Sequence, residues 1–333
     1  MASDYSRRAF LTTLGAVAAA SSGSLAAGRS VIAASIRSAA NATPSAFKVS
    51  VLTDEISQDL GHALEVATQE FGLGWVELRE LWNKNITRLD DKEIAEAKRL
   101  IEGRQLRVSA IASPVFKVDW PGAPRSPFGS KDDSYKADFV FAQQDEVLER
   151  SFELARRLGT DHIRIFDFWR LDDPAPYRAA MDDKLRQAAD KAAKLGLVLV
   201  LENEYACNTA TSAESIRTLD AVRSRAFKLN WDPGNAGMRG DAAFPDGYAR
   251  LPKDRIGHVH CKNVSRKAGG GFEWSEMGTG LIDWTAQFRA LLKDGYHGPV
   301  TLETHWRGAG TPEASTRVAW TSMKRQLQEA RAF

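Results

Sequence analysis

Between Phe47 and Phe333, short apolar runs are followed by stretches of helical periodicity eight times over, and no other feature of the chain constrains the fold as much. The reading predicts strand and helix pairs at 47–53 with 58–71, 74–79 with 91–102, 106–112 with 138–158, 162–167 with 174–195, 197–203 with 212–224, 227–231 with 243–251, 256–261 with 283–293 and 299–303 with 312–330. Gly159 and Gly196 follow two of these helices as left-handed caps. Ser212, in a Ser-x-x-Ser start, is the expected opening of another. The stretch 113–136 is rich in Pro, Gly and Ser and too long for a mere connection.

Eight such units in order match the size of a single (β/α)8 barrel. A doubly wound sheet also alternates strands and helices, but it should carry a glycine-rich loop after its first strand. Here that position reads Thr53-Asp54-Glu55-Ile56-Ser57. The chain also has no P-loop, no serine elbow and no Cys-x-x-Cys. Its net charge of +2 gives no case for nucleic acid or an anionic membrane, and its two cysteines exclude a disulfide framework.

In a barrel the chemistry sits where strands end. Four consecutive strands, the fifth to the eighth, end in Glu202, Asp232, His260 and Glu303. Adjacent strand ends lie about 5 Å apart, so all four side chains can meet one ion. A lone acid at a strand end is accounted for by contact with water; four in register are not. Three carboxylates with one imidazole suit a divalent ion, Mn²⁺ first, with Co²⁺, Mg²⁺ or Zn²⁺ as alternatives.

Strand alternation puts His258 on the same face as His260 and turns Cys261 away. His258 then reads as a hydrogen-bonded residue beneath the site or a substrate contact. Glu77 and Arg164 point inward from the second and fourth strands, as a buried ion pair or as substrate contacts. Lys117, just past the third strand, is either a solvated loop residue or a reach toward a substrate oxygen. Glu204 lies near Glu202 as support or as a solvated acid. Phe116, Trp120, Phe168, Trp169 and Trp306 fall on the same loops, as sugar-stacking surfaces or loop anchors.

The first segment, residues 1–45, is expected to be no part of the barrel, which occupies 46–333. Ser6-Arg7-Arg8-Ala9-Phe10-Leu11 is a twin-arginine signature, followed by a weakly apolar run and small residues through Ala27. An Ala/Ser/Thr-rich linker follows. The mature protein is then expected in the periplasm or outside the cell, with no membrane span.

The stretches Leu201-Glu202-Asn203, Trp231-Asp232-Pro233-Gly234-Asn235, His258-Val259-His260-Cys261-Lys262-Asn263 and Leu302-Glu303 resemble the xylose isomerase-like TIM-barrel superfamily. Within it they resemble the branch of sugar phosphate isomerases and epimerases, which includes the ketose 3-epimerases. The resemblance covers roughly 47–333. It implies the same four metal ligands, and it places an arginine, Arg266, six residues after the histidine against substrate oxygens. Those enzymes often have a histidine three residues after the aspartate; this chain has Asn235, at a substrate-binding position. The implied reaction is proton transfer on carbon beside a carbonyl, through an enediolate, with Glu202 and Glu303 as acid and base on a small sugar or keto-sugar. The implied rivals are elimination across a 3-keto-glycoside and a non-catalytic sugar-binding barrel. A DNA-repair role of the endonuclease IV type needs many more histidines than the six present, and a basic groove. A homo-oligomer is compatible with all of these.

Overall fold

The computed structural model describes residues 45–129 and 138–333; the twin-arginine segment lies outside them. The barrel strands are β1 Lys48–Val51, β2 Trp75–Leu78, β3 Arg107–Ala112, β4 His162–Ile165, β5 Val198–Glu202, β6 Phe227–Trp231, β7 Ile256–Cys261 and β8 Pro299–Leu302. They form one eight-stranded sheet in the order β1-β8-β7-β6-β5-β4-β3-β2, and every pairing is parallel. Between β1 and β2 a single parallel bridge, Leu52 to Glu77, closes the ring. The α/β barrel expected from the alternation is therefore the fold.

The helices are α1 Leu60–Glu65, α2 Asp91–Gly103, α3 Gln144–Leu158, α4 Arg178–Lys194, α5 Ser212–Ala221, α6 Pro233–Met238, α7 Tyr248–Arg250, α8 Trp284–Lys293 and α9 Pro312–Glu329. Their ends follow local chemistry. Asp90 and Glu93 form a reciprocal capping box at the start of α2. Gly159 closes α3 in the left-handed region, at φ 74°. The cap of α5 is Thr211, boxed with Glu214, one residue before the expected Ser212.

The structure departs from the predicted elements in three places. The helix expected at 243–251 is a π turn over Ala243–Gly247, with Phe244 extended, leading to the three residues of α7. Pro245 has no N–H to give a regular helix there. Instead α6 forms directly after β6, with Asp232 capping Asn235 N and Pro233 in its first turn. Two hairpins appear in stretches to which the sequence reading assigned no element: Glu80–Leu81 with Lys84–Asn85, and Asn263–Arg266 with Phe272–Ser275.

The barrel interior is polar along one column. Ser109 Oγ donates to Ser50 Oγ at 3.1 Å, and Ser50 Oγ lies 2.7 Å from Thr301 Oγ1. Thr301 Oγ1 in turn lies 2.8 Å from His258 Nε2. Apolar side chains fill the space between sheet and helices, including Val49, Leu64, Ile94, Phe152, Leu185, Phe288 and Leu327, all buried. Burying them stabilises the ring by roughly 1.5–3 kcal/mol each. The loop after β3 is tied to the one after β4, since Phe166 N, Phe168 N and Trp169 N donate to the carbonyls of Val115, Phe116 and Val118.

Candidate active site

The ends of β5 to β8 converge. One ligand atom from each of Glu202, Asp232, His260 and Glu303 lies within 4.8 Å of the other three. All four residues are buried. Asn203 clamps the Asp232 backbone from both sides, donating to its carbonyl at 2.8 Å and accepting from its N–H at 2.8 Å.

Glu202 receives Asn235 Nδ2 on Oε1 at 3.0 Å and Arg164 Nη1 on Oε2 at 3.2 Å. Glu303 receives Arg79 Nη1 on Oε1 at 2.7 Å and Lys262 Nζ on Oε2 at 2.6 Å. Arg79 also donates to Asp54 at 2.8 Å and Glu55 at 2.7 Å. His260 turns Nδ1 toward Glu303 at 3.1 Å and Glu202 at 3.5 Å, and Nε2 toward Glu77 at 3.1 Å.

These contacts set the charges. Burial would raise the Glu202 pKa, but His260 and Arg164 outweigh burial and hold it at about 2. Burial opposes ionisation of Glu303 too, yet Lys262 and His260 hold it well below the carboxylate range. Burial pushes Asp232 up to about 7, against the pull of Lys262. Burial would lower His260, but Glu77, Glu303 and Glu202 raise it well above its usual value. Each is a case of desolvation competing with neighbouring charge.

The other predicted residues have definite places. Asn235 supports Glu202 and lies 3.4 Å from Glu204, while its own Oδ1 is buried and has no hydrogen-bond partner among the described residues. Lys117 is buried rather than solvated, its Nζ 3.9 Å from Glu204 and 4.7 Å from the Phe166 ring centre. Glu77 and Arg164 do point inward, but they do not pair with each other. Glu77 takes His258 at 3.0 Å and His260 at 3.1 Å, and Arg164 takes Glu202. His258 sits beneath the cluster, its ring centre 5.2 Å from that of His260. Phe116 and Phe168 are wholly buried loop anchors, and Trp169 nearly so.

Arg266, expected against substrate oxygens, lies on the second hairpin. It is exposed, lies in register opposite Phe272 in the second hairpin, and stacks on that ring at 5.2 Å. Among the described residues it forms no ion pair with the four converging side chains. The spacing from His260 counts residues, but the hairpin decides where they go.

Lys262, Arg79, Asp54, Glu55 and His305 border the site without having been singled out. Lys262 stands in one of the motif stretches, directly after β7, where no role was assigned to it. His305 Nε2 lies 3.3 Å from Glu303 Oε1.

The donor set fits a divalent cation: three carboxylates and one imidazole, buried and mutually within reach, with Asp232 Oδ2 making no hydrogen bond. That oxygen is 2.8 Å from Lys262 Nζ, at an angle too poor for a hydrogen bond.

Comparison with known proteins gives the same fold. The profile of the family described as xylose isomerase-like TIM barrel matches residues 66–326. An L-ribulose 3-epimerase of Methylomonas sp. (strain DH-1) is 28% identical over 194 residues, covering 55% of this chain and 64% of the epimerase. This chain thus matches a little under two thirds of that relative's length. Among solved structures, a xylose isomerase domain protein of Alicyclobacillus acidocaldarius superposes with a TM-score of 0.64 at 20% identity, over 86% of this chain and 99% of that one. A xylose isomerase-like TIM barrel protein of Mycobacterium smegmatis, in complex with magnesium, superposes with a TM-score of 0.60 at 20% identity, over 81% of this chain and 87% of its own.

Proposed function

Because the chain belongs to the xylose isomerase-like TIM barrel family, we propose that it is a sugar isomerase or epimerase that uses a divalent ion, with Mn²⁺ the first candidate. The observation that carries this reading is the convergence of Glu202, Asp232, His260 and Glu303 at the C-terminal mouth of the barrel. The similarity to a ketose 3-epimerase supports it. Glu202, Asp232, His260 and Glu303 would hold the ion, which when bound supplies Lewis acidity toward a sugar carbonyl.

The chain's own groups supply the proton transfers. Glu202 and Glu303 are ionised at neutral pH, so either can take a proton from carbon beside a carbonyl. The second carboxylate returns a proton to the opposite face in epimerisation, or to the adjacent carbon in isomerisation. Since it too rests ionised, the proton it returns is drawn from solvent water, and the first carboxylate gives its own proton back to solvent. Asn235 and Arg164 grip separate oxygens of Glu202, and Arg79 grips Glu303, so both bases are held in fixed orientations. The twin-arginine segment would place this chemistry outside the cytoplasm.

Incubation of Mn²⁺-loaded protein with L-ribulose and other ketoses in D₂O tests the reading by NMR. Deuterium is expected at the carbon beside the carbonyl, and a chelator should stop its entry. No exchange into any ketose by metal-loaded protein would sink the proposal. Release of an aglycone from a 3-keto-glucoside, without exchange into ketoses, would replace it with elimination.

A further inference from the structure

Lys262 is 2% exposed, and its ammonium lies among the same carboxylates that converge at the barrel mouth. Its Nζ is 2.6 Å from Glu303 Oε2, 2.8 Å from Asp232 Oδ2 and 3.7 Å from Glu202 Oε1. The placement is built in. Trp284 Nε1 donates to the Lys262 carbonyl at 3.1 Å, fixing the backbone. The side-chain stem crosses Gly234, where a Cβ would stand 2.8 Å from Lys262 Cγ and 3.2 Å from its carbonyl oxygen. Only glycine leaves that passage open. The Trp274 ring centre lies 5.1 Å from Nζ, on the hairpin beside the site, and offers the ammonium a second surface.

Arg164 pairs with Glu202 and Arg79 with Glu303, but among the described residues Asp232 has only Lys262 as a cationic partner, and three carboxylates this close repel one another strongly in a low-dielectric interior. Lys262 supplies one positive charge where a divalent ion would supply two. We propose that Lys262 is an internal counter-cation that competes with the divalent ion for Glu202, Asp232 and Glu303. It keeps the site assembled without metal and lowers the affinity for metal to an exchangeable level. This inference rests on the metal-binding reading of the four strand ends.

The variant Lys262→Met keeps the stem and removes the charge. Mn²⁺ binding to wild type and variant is measured by titration calorimetry, and melting temperature with and without Mn²⁺. The proposal expects the variant to bind Mn²⁺ at least about tenfold more tightly, because no ammonium has to be displaced. It also expects the metal-free variant to melt lower than wild type, with Mn²⁺ restoring most of the loss. A variant recovered folded only in Mn²⁺ gives the same support. Unchanged or weaker Mn²⁺ binding beside a wild type that does bind would overturn the role of Lys262 and leave the metal site intact. Failure to fold even in Mn²⁺ would overturn it as well, since the ion then fails to replace the charge. If neither protein binds a divalent ion, the metal reading falls, and this inference with it.

Discussion

Glu77 and His260 face each other at 3.1 Å across the barrel axis, on the side of the imidazole away from Glu202 and Glu303. The strand ends present His260 Nδ1 to the mouth, so Nε2 is free to donate downward. A carboxylate behind a metal-binding histidine fixes its tautomer and raises its basicity. Both Glu77 oxygens are within hydrogen-bond reach of that nitrogen, at 3.1 and 3.2 Å.

Replacing Glu77 with Gln should weaken Mn²⁺ binding about 10–100-fold while the circular dichroism spectrum stays that of the parent. Titration calorimetry measures the first and spectroscopy the second. Unaltered affinity would show that the ring needs no such support.

Under the proposed function, Glu202→Gln and Glu303→Gln each remove a base and retain the side-chain volume. Deuterium exchange into substrate should fall by about 10²-fold or more in each variant. Melting temperatures should remain within a few degrees of the parent in metal-loaded protein. Full exchange in either variant would remove that residue from the acid–base pair.

Arg164 is buried at the fourth strand and donates to Glu202, to the Ala112 carbonyl at 3.2 Å and to the Ser113 carbonyl at 3.3 Å. Arg164→Met leaves a buried carboxylate short of a cation and two carbonyls short of a donor. The expected loss is about 3–5 kcal/mol, read from urea unfolding. A loss below about 1 kcal/mol would mean that water takes over these contacts.

Asp161 lies at the other mouth of the barrel, just before β4, with Oδ1 2.6 Å from His162 Nδ1. The hydrogen bond from His162 outweighs partial burial and holds its pKa at about 2. A depressed carboxylate stabilises the fold above its unfolded pKa of about 3.9, and that contribution is lost as pH falls toward 2. The side chain is 62% exposed, so solvent screening limits the contribution to less than about 1 kcal/mol. Asp161→Asn should therefore lower stability slightly at neutral pH, and the gap from the parent should close between about pH 4 and pH 2. Denaturant midpoints across that range measure it; a gap that persists at pH 2 would mean that the effect is not electrostatic.

The eight strands were legible because buried parallel strands read as continuous apolar runs. The four converging residues were legible because each stands where such a run stops. What sequence could not show is where the chain goes after the strand. Lys262 follows Cys261 into a polar stretch, and nothing in that stretch shows that Gly234, in the first turn of α6 after β6, leaves its stem a passage. The hairpin that carries Arg266 was hidden for the same reason: its fold is set by pairing with Phe272–Ser275, which no residue count reveals. Arg79 and its acids Asp54 and Glu55 come from loops after different strands, and only closure of the ring brings them to Glu303.

That closure has one thin joint. Along most of the ring each strand is laced to its neighbour by several backbone pairs, whereas among the described residues β1 and β2 share the one bridge from Leu52 to Glu77, with the Arg79 ion pairs to Asp54 and Glu55 just beyond it. The residue that carries the joint is also the one that grips His260 from below. Parting of the two strands would therefore be felt at the imidazole before it reached the outer helices, and in protein loaded with Mn²⁺ the temperature at which the barrel begins to breathe should coincide with the temperature at which the added ion is released.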